Sequence, residues 1–161
     1  MKEIILIRHG KSSWENPFDD FQRGLLDKGV KNSVKIALAT KNLINEEGII
    51  WSSPARRAIT TAQIVIDNWA NPKLEIITKP ALYTFDATVL QEVIARCENT
   101  FKKLIIFGHN EAITDFVNKF GNVLIDNVPT SGFVALQIDT DNWAALKKGR
   151  TTHIIFPKDL Q

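Results

Sequence analysis

Short runs in which nearly every residue is apolar alternate along this chain with longer stretches in which apolar residues recur every three or four positions. The first run, Glu3 to Ile7, lacks the alternation of a half-exposed strand and reads as a strand buried on both faces. Asp27 can cap a helix reaching about Asn45, with Val30, Val34, Ala37, Leu38 and Ile44 inward and Lys28, Lys31, Lys35 and Lys41 outward. Ile49 to Trp51 is a second strand. Ser53 and Pro54 then supply a hydroxyl acceptor and a ring that open a helix to about Trp69, through Ala58, Ala62, Val65 and Ile66. Leu74 to Thr78 is a third strand, and Ala87 to about Glu98 a helix burying Leu90, Val93, Ile94 and Cys97. Leu104 to Phe107 is a fourth, wholly apolar strand. Asn110 is placed to cap a helix with Ile113, Phe116, Val117 and Phe120, which Gly121 stops. Phe133 to Ile138 and Thr152 to Phe156 are strands on either side of an irregular turn. Strands alternating with helices predict one α/β domain over residues 1–161, a three-layer α/β/α arrangement with a mainly parallel central sheet.

Composition narrows the function classes. Lys and Arg number 20 against 18 Asp and Glu, a balance too even to predict nucleic-acid or membrane-surface binding. The single cysteine, Cys97, excludes an internal disulfide framework and a cysteine-based zinc site, and its phase makes it a core residue. Arg8 and His9 interrupt the first apolar run well before it could span a bilayer, and no secretory leader pattern precedes it, so a cytoplasmic protein is expected. Asp139 and Asp141 lack the glycine and terminal glutamate of a calcium loop and read as turn residues, and His153 as a strand residue.

The chemistry gathers at three strand ends: Arg8-His9-Gly10, Ser52-Ser53-Pro54-Ala55-Arg56 and Gly108-His109-Asn110. In open parallel sheets ligands bind beyond the carboxyl ends of the strands. Arg8 and Arg56 offer planar forks matched to phosphate oxygens, Gly10 lets the backbone turn sharply, and helix starts after Ser53 and Asn110 add N–H groups and dipoles suited to an anion. A neutral imidazole beside bound phosphate is a nucleophile, and a second can stabilise the equatorial oxygens. His9, next to Arg8, is taken as the nucleophile and His109 as its partner. The loop Lys11 to Gly24 carries Trp14, Pro17, Phe18 and Phe21, enough apolar surface to pack down, together with Asp19, Asp20 and Arg23.

The segments LIRHGKSSW, SSPARRAITTA and FGHNEAIT resemble the signature segments of the histidine phosphatase superfamily, whose fold is the phosphoglycerate mutase-like one. The segment DDFQRGLLDKG is similar to the D-x-x-R-P-L-x-x-x-G stretch of the branch typified by the phosphohistidine phosphatase SixA, with Gly24 where that stretch has proline. The resemblance runs from Glu3 to about Thr130. It implies a phosphohistidine intermediate on His9, phosphate held by Arg8 and Arg56, a pocket completed by His109, Arg23 lining the entrance, and no metal or cofactor. Gly10 and Asn110 complete the expected substrate-binding set.

Many relatives place a Glu or Asp general acid in the loop after the third strand, whereas this chain has KPALYTFD there. Asp86, Tyr83 and Asp19 are the candidates. A phosphoramidate needs less help than an ester, because its nitrogen can be protonated before the bond breaks. No stretch is long enough for a lid, and an open site suits a protruding phosphorylated side chain. The expected activity is therefore that of a phosphatase acting on phosphohistidine in proteins. The alternatives are a small-molecule phosphomonoesterase of the same fold and a non-catalytic phosphate-binding module.

Overall fold

The computed structural model describes residues 1–15, 19–44 and 48–160. A six-stranded sheet forms the middle layer, with strand order β3-β2-β4-β1-β5-β6. The strands are β1 (Lys2–Arg8), β2 (Ile49–Ser52), β3 (Ile76–Thr78), β4 (Lys103–Gly108), β5 (Phe133–Ile138) and β6 (Arg150–Ile155). The first four run parallel, β5 pairs antiparallel with β1, and β6 pairs antiparallel with β5. The expected three-layer, mainly parallel domain is the one observed.

Period-two alternation sorts each buried strand between two cores. Ile5, Ile7, Ile50, Ile105 and Phe107 face α1 (Asp27–Thr40) and α2 (Arg56–Trp69), meeting Ile36, Val65 and Trp69. Ile4, Leu6, Leu104, Ile106 and Val134 face α3 (Ala87–Ala95) and α4 (Ala112–Phe120), meeting Ile94, Ile113 and Phe116. Cys97 packs in this second core, where burial raises its thiol to about 11 and leaves it unreactive. Trp143, in the turn between β5 and β6, is also fully buried there and donates its Nε1–H to the Phe101 carbonyl at 2.9 Å.

The buried stripe of α1 differs from the apolar one read in the sequence. Gly29, Ser33, Ile36, Ala37 and Thr40 face inward, while Val30 and Leu38 are exposed. The cause is steric. The helix lies against the loop after β1, and a Cβ on Gly29 would stand 2.3 Å from the Lys11 carbonyl oxygen and 2.8 Å from its nitrogen, so nothing larger than glycine fits at that position. The helix ends at Thr40 and a 3-10 turn, Lys41–Leu43, follows; the expected end at Asn45 lies outside the described residues. Gly29→Ala gains roughly 1 kcal/mol of helix propensity but meets backbone that cannot yield, and overpacking costs about 1–3 kcal/mol or more. Thermal melts are expected to show a net fall in Tm of several degrees; an unchanged or raised Tm would mean that the loop after β1 can give way.

Candidate active site

Strands β2, β4 and β1 are neighbours in the sheet, so their carboxyl ends open side by side. Register does the rest. Arg8 pairs with Gly108, which sets His9 and His109 level just beyond the last pair, and the His9 N–H donates to the Gly108 carbonyl at 3.1 Å. The ring centroids are 5.3 Å apart. On the other side of β4 the Ser53 N–H donates to the Phe107 carbonyl at 3.0 Å, which brings the Ser53 hydroxyl to His109. The three strand ends singled out by their sequence do converge.

The hydrogen bonds fix both tautomers. His9 Nδ1 lies 2.7 Å from the Gly10 carbonyl oxygen, which can only accept, so Nδ1 carries the proton and Nε2 presents a lone pair. Arg57 Nε points at that lone pair from 3.4 Å. Arg57 Nη2 likewise donates to His109 Nδ1 at 3.3 Å, so the His109 proton is on Nε2, donated to Ser53 Oγ at 2.8 Å. Burial lowers both imidazoles. His9 falls to about 4, with the charges of Arg57, Arg8 and Arg23 adding to burial against the pull of the Gly10 carbonyl. His109 falls to about 3, with His9 and Arg57 adding to burial.

A lowered histidine pKa means that the unfolded chain takes up these two protons near pH 6.5 while the folded protein does not until about 4. Both rings are thus neutral across the physiological range, and stability falls as pH drops from 6.5 towards 4. The imidazole resonances of His9 and His109 are expected to stay unchanged from pH 8 to about 5.5 in NMR titrations. A midpoint near 6.5 for His9 would contradict a buried, neutral imidazole.

Arg57 is the arginine at the centre of the pocket, and Arg56 is not. Arg57 is 1% exposed, whereas Arg56 is exposed, donates to the Gln22 carbonyl at 3.3 Å and lays its guanidinium against Gly24. One residue turns a helix by 100°, and that turn decides the matter. Arg57 borders the inward stripe of Ala58, Thr61, Ala62 and Val65, while Arg56 shares the outer face with Thr60, Gln63 and Asp67. The helix also starts later than expected: α2 begins at Arg56 and Ser53 does not cap it. The Ser53 hydroxyl accepts from the Ala55 N–H at 3.2 Å and from His109 instead.

The remaining expected residues divide into those at the pocket and those that support it. Arg8 lines it, with Nη1 on the Val128 carbonyl at 3.0 Å and Nε buried without a partner among the described residues, a donor left over for an anion. Arg23 also lines it and is buried under the Trp14 ring, 3.6 Å from its centroid, donating to Ser12 Oγ at 2.6 Å. Asn110 lines the pocket; the N-cap of α4 is Glu111, and Asn110, one residue before it, accepts from the Thr114 N–H at 3.1 Å. Gly10 supports the site differently from expectation. Its φ is not positive and its N–H is held by Thr61 Oγ1 at 2.8 Å; it is small because a Cβ would lie 3.0 Å from the Gly29 carbonyl oxygen.

Asp20, one of the charged residues of the loop after β1, belongs to this site. It accepts from Arg57 Nη2 at 3.0 Å, from Arg23 Nε at 3.1 Å and from the Tyr83 hydroxyl. Burial would raise its carboxyl, but the bonds from Tyr83, Arg57 and Arg23, with the Arg57 charge, hold it down at about 2. The i, i+3 spacing from Asp20 to Arg23 was the available signal. The candidate acids are engaged elsewhere. Asp86 caps α3 through the Thr88 N–H, Asp19 caps a short 3-10 turn through the Gln22 N–H, and Tyr83, its hydroxyl raised by burial and by Asp20, donates to that carboxylate. Of the loop expected to pack down, Phe21 meets Tyr83 edge-on at 5.4 Å and Trp14 covers Arg23, while Pro17 and Phe18 lie outside the described residues.

The fold and the paired histidines at the ends of parallel strands define a phosphoglycerate mutase-like protein. The histidine phosphatase superfamily (branch 1) model matches residues 4–105, more than half of the sequence, and the chain belongs to that superfamily. Among solved structures, the protein histidine phosphatase SixA complexed with tungstate superposes with a TM-score of 0.81 at 19% identity, over 98% of each chain. A protein from Agrobacterium tumefaciens provisionally assigned as phosphohistidine phosphatase SixA gives 0.74 at 23% identity, over 85% of this chain and 92% of that one. These are likenesses of fold. A 2,3-bisphosphoglycerate-dependent phosphoglycerate mutase of Bartonella henselae is 32% identical over 84 residues, 50% of this chain and 41% of that protein. That of Mycobacterium leprae is 41% identical over 69 residues, 40% of this chain and 27% of the mutase. The match thus spans less than half the length of the curated relatives.

Proposed function

We propose that this chain is a phosphatase that takes a phosphoryl group onto His9 Nε2 and passes it to water, with phosphohistidine in proteins as its substrate. The observation that carries the reading is the His9 tautomer: Nδ1–H is held by the Gly10 carbonyl, and the Nε2 lone pair faces a pocket lined by Arg8, Arg23 and Arg57. In the first step Nε2 attacks phosphorus in line. The bond from phosphorus to the leaving nitrogen breaks, and that nitrogen departs with the electron pair as the neutral imidazole, its proton already in place. Arg57 and Arg8 offset the charge on the equatorial oxygens, and neutral His109 positions Arg57 by accepting from its Nη2. In the second step a water oxygen displaces Nε2, releasing phosphate and the free imidazole.

The leaving group favours a phosphoramidate. Among the described residues lining the cavity the carboxylate is Asp20, which three donors keep ionised and unable to protonate an alkoxide. A second reading, a phosphomonoesterase for small molecules, draws on the cavity itself, about 980 Å³ and roomy enough for a small ligand. Purified protein assayed against phosphohistidine proteins, free phosphohistidine and common phosphomonoesters separates the two. Phosphohistidine substrates are expected to give the higher kcat/KM; a clear preference for a sugar phosphate or a phosphorylated amino-acid ester would establish the second reading.

A further inference from the structure

The cavity at the histidines extends well past them, across the face of α1. Lys11, Lys28, Lys35 and Lys158 line this extension, and none of the four ammonium groups has a hydrogen-bond or ion-pair partner among the described residues. They come from three settings. Lys11 follows the nucleophile by two residues, Lys28 and Lys35 stand two turns apart on α1, and Lys158 lies on the 3-10 turn Pro157–Asp159, which packs against α1. Lys28 to Lys35 spans about 10.5 Å along the helix axis. A phosphoryl group and three arginines account for the inner end of the cavity and leave these lysines without a task.

We propose that this lysine-lined extension is a docking groove for an acidic protein segment, whose carboxylates lie one to two helical turns from the phosphorylated side chain held at His9. Four arguments select that occupant. The charges are complementary, since the one carboxylate lining the cavity, among the described residues, is already consumed by Arg57, Arg23 and Tyr83. The cations are spread over a distance that a single phosphate does not cover. They are lysines, flexible point charges suited to carboxylates at variable positions, whereas the phosphate end is built of rigid arginine forks. Exposed aromatic side chains, Trp14 at 67% and Phe85 at 54%, line the same cavity, as anchors of a protein interface do. The proposal rests on the protein-phosphatase reading and names the kind of protein.

Two synthetic peptides test it, each carrying a non-hydrolysable phosphonate analogue of phosphohistidine. One has glutamates four and seven residues from the analogue and the other has alanines there. Binding is measured to the unaltered protein, to the double variant Lys28→Glu/Lys35→Glu, and to a charge-matched control, Lys147→Glu/Lys148→Glu, in the turn before β6. The glutamate peptide is expected to bind roughly tenfold tighter than the alanine peptide, with a preference that weakens as salt rises. That preference should vanish or reverse in the α1 variant and persist in the control. Equal binding of the two peptides, or a preference untouched by the α1 variant, overturns the proposal. So does an α1 variant that loses inorganic tripolyphosphate while the peptides bind alike, which would make the groove a site for a small polyanion. Hydrolysis is followed separately with the cleavable peptides. Turnover of both at one rate would leave the reaction standing and remove the groove, whereas a glutamate preference in binding with turnover of neither would uphold the groove and remove the reaction.

Discussion

His9→Ala should abolish turnover, with a fall on the order of 10⁴–10⁶-fold, the scale reached when a covalent nucleophile is deleted from a preorganised site. The deletion is expected to act on chemistry and leave binding largely intact, because Arg8, Arg23 and Arg57 still define the anion site. The diagnostic is the intermediate. Brief incubation with a labelled phosphodonor, quenched in alkali, should leave acid-labile label on the unaltered protein and none on the variant. Equal labelling of the two would place the nucleophile elsewhere. The tautomer adds a finer expectation: label should be found at Nε2, because Nδ1 is held 2.7 Å from the Gly10 carbonyl.

The second large effect concerns two adjacent arginines. Arg57→Ala removes donors directed at His9, His109 and Asp20 together, and turnover should fall about 10²–10³-fold, as when one transition-state donor is lost. Arg57→Lys should recover little of this, since an ammonium cannot reproduce a fork that reaches three partners. Arg56→Ala, on the solvent side of the same helix, should keep turnover within about threefold, the loss of one exposed contact to the Gln22 carbonyl being worth little. Steady-state kinetics on the three variants, with thermal melts to set aside unfolding, decide it. A strong loss in Arg56→Ala with near-full activity in Arg57→Ala would invert the assignment.

The mainly parallel sheet and the convergence of His9 and His109 were legible because buried parallel strands announce themselves as unbroken apolar runs whose polar ends have nowhere to go but the sheet edge. The choice between Arg56 and Arg57 was legible in principle. Counting 100° per residue puts Arg57 beside Ala58, Thr61 and Val65 and Arg56 with Gln63 and Asp67, but the Ser53-Pro54 start signal directed attention to the first arginine. Other features depend on tertiary contact alone. Val30 and Leu38 look like core residues until the loop after β1 takes the glycine-and-serine face of α1. Asp20 looks solvated until Arg57 and Tyr83 arrive from residues 37 and 63 positions further on. The glycine after the nucleophile suggested a sharp turn, and what it provides is close approach to the Gly29 carbonyl.

The pairing of Arg8 with Gly108 has a consequence for how the protein comes into being. The strand that sets His109 beside His9 lies about a hundred residues further along the chain, and the long loop between them must close before the two rings meet. A nascent or partly folded chain that carries His9 therefore has neither the second imidazole nor the arginine-lined pocket around it. Competence for phosphoryl transfer should emerge in refolding only with the pairing of β4 onto β1. Activity then serves as a reporter of that single long-range event.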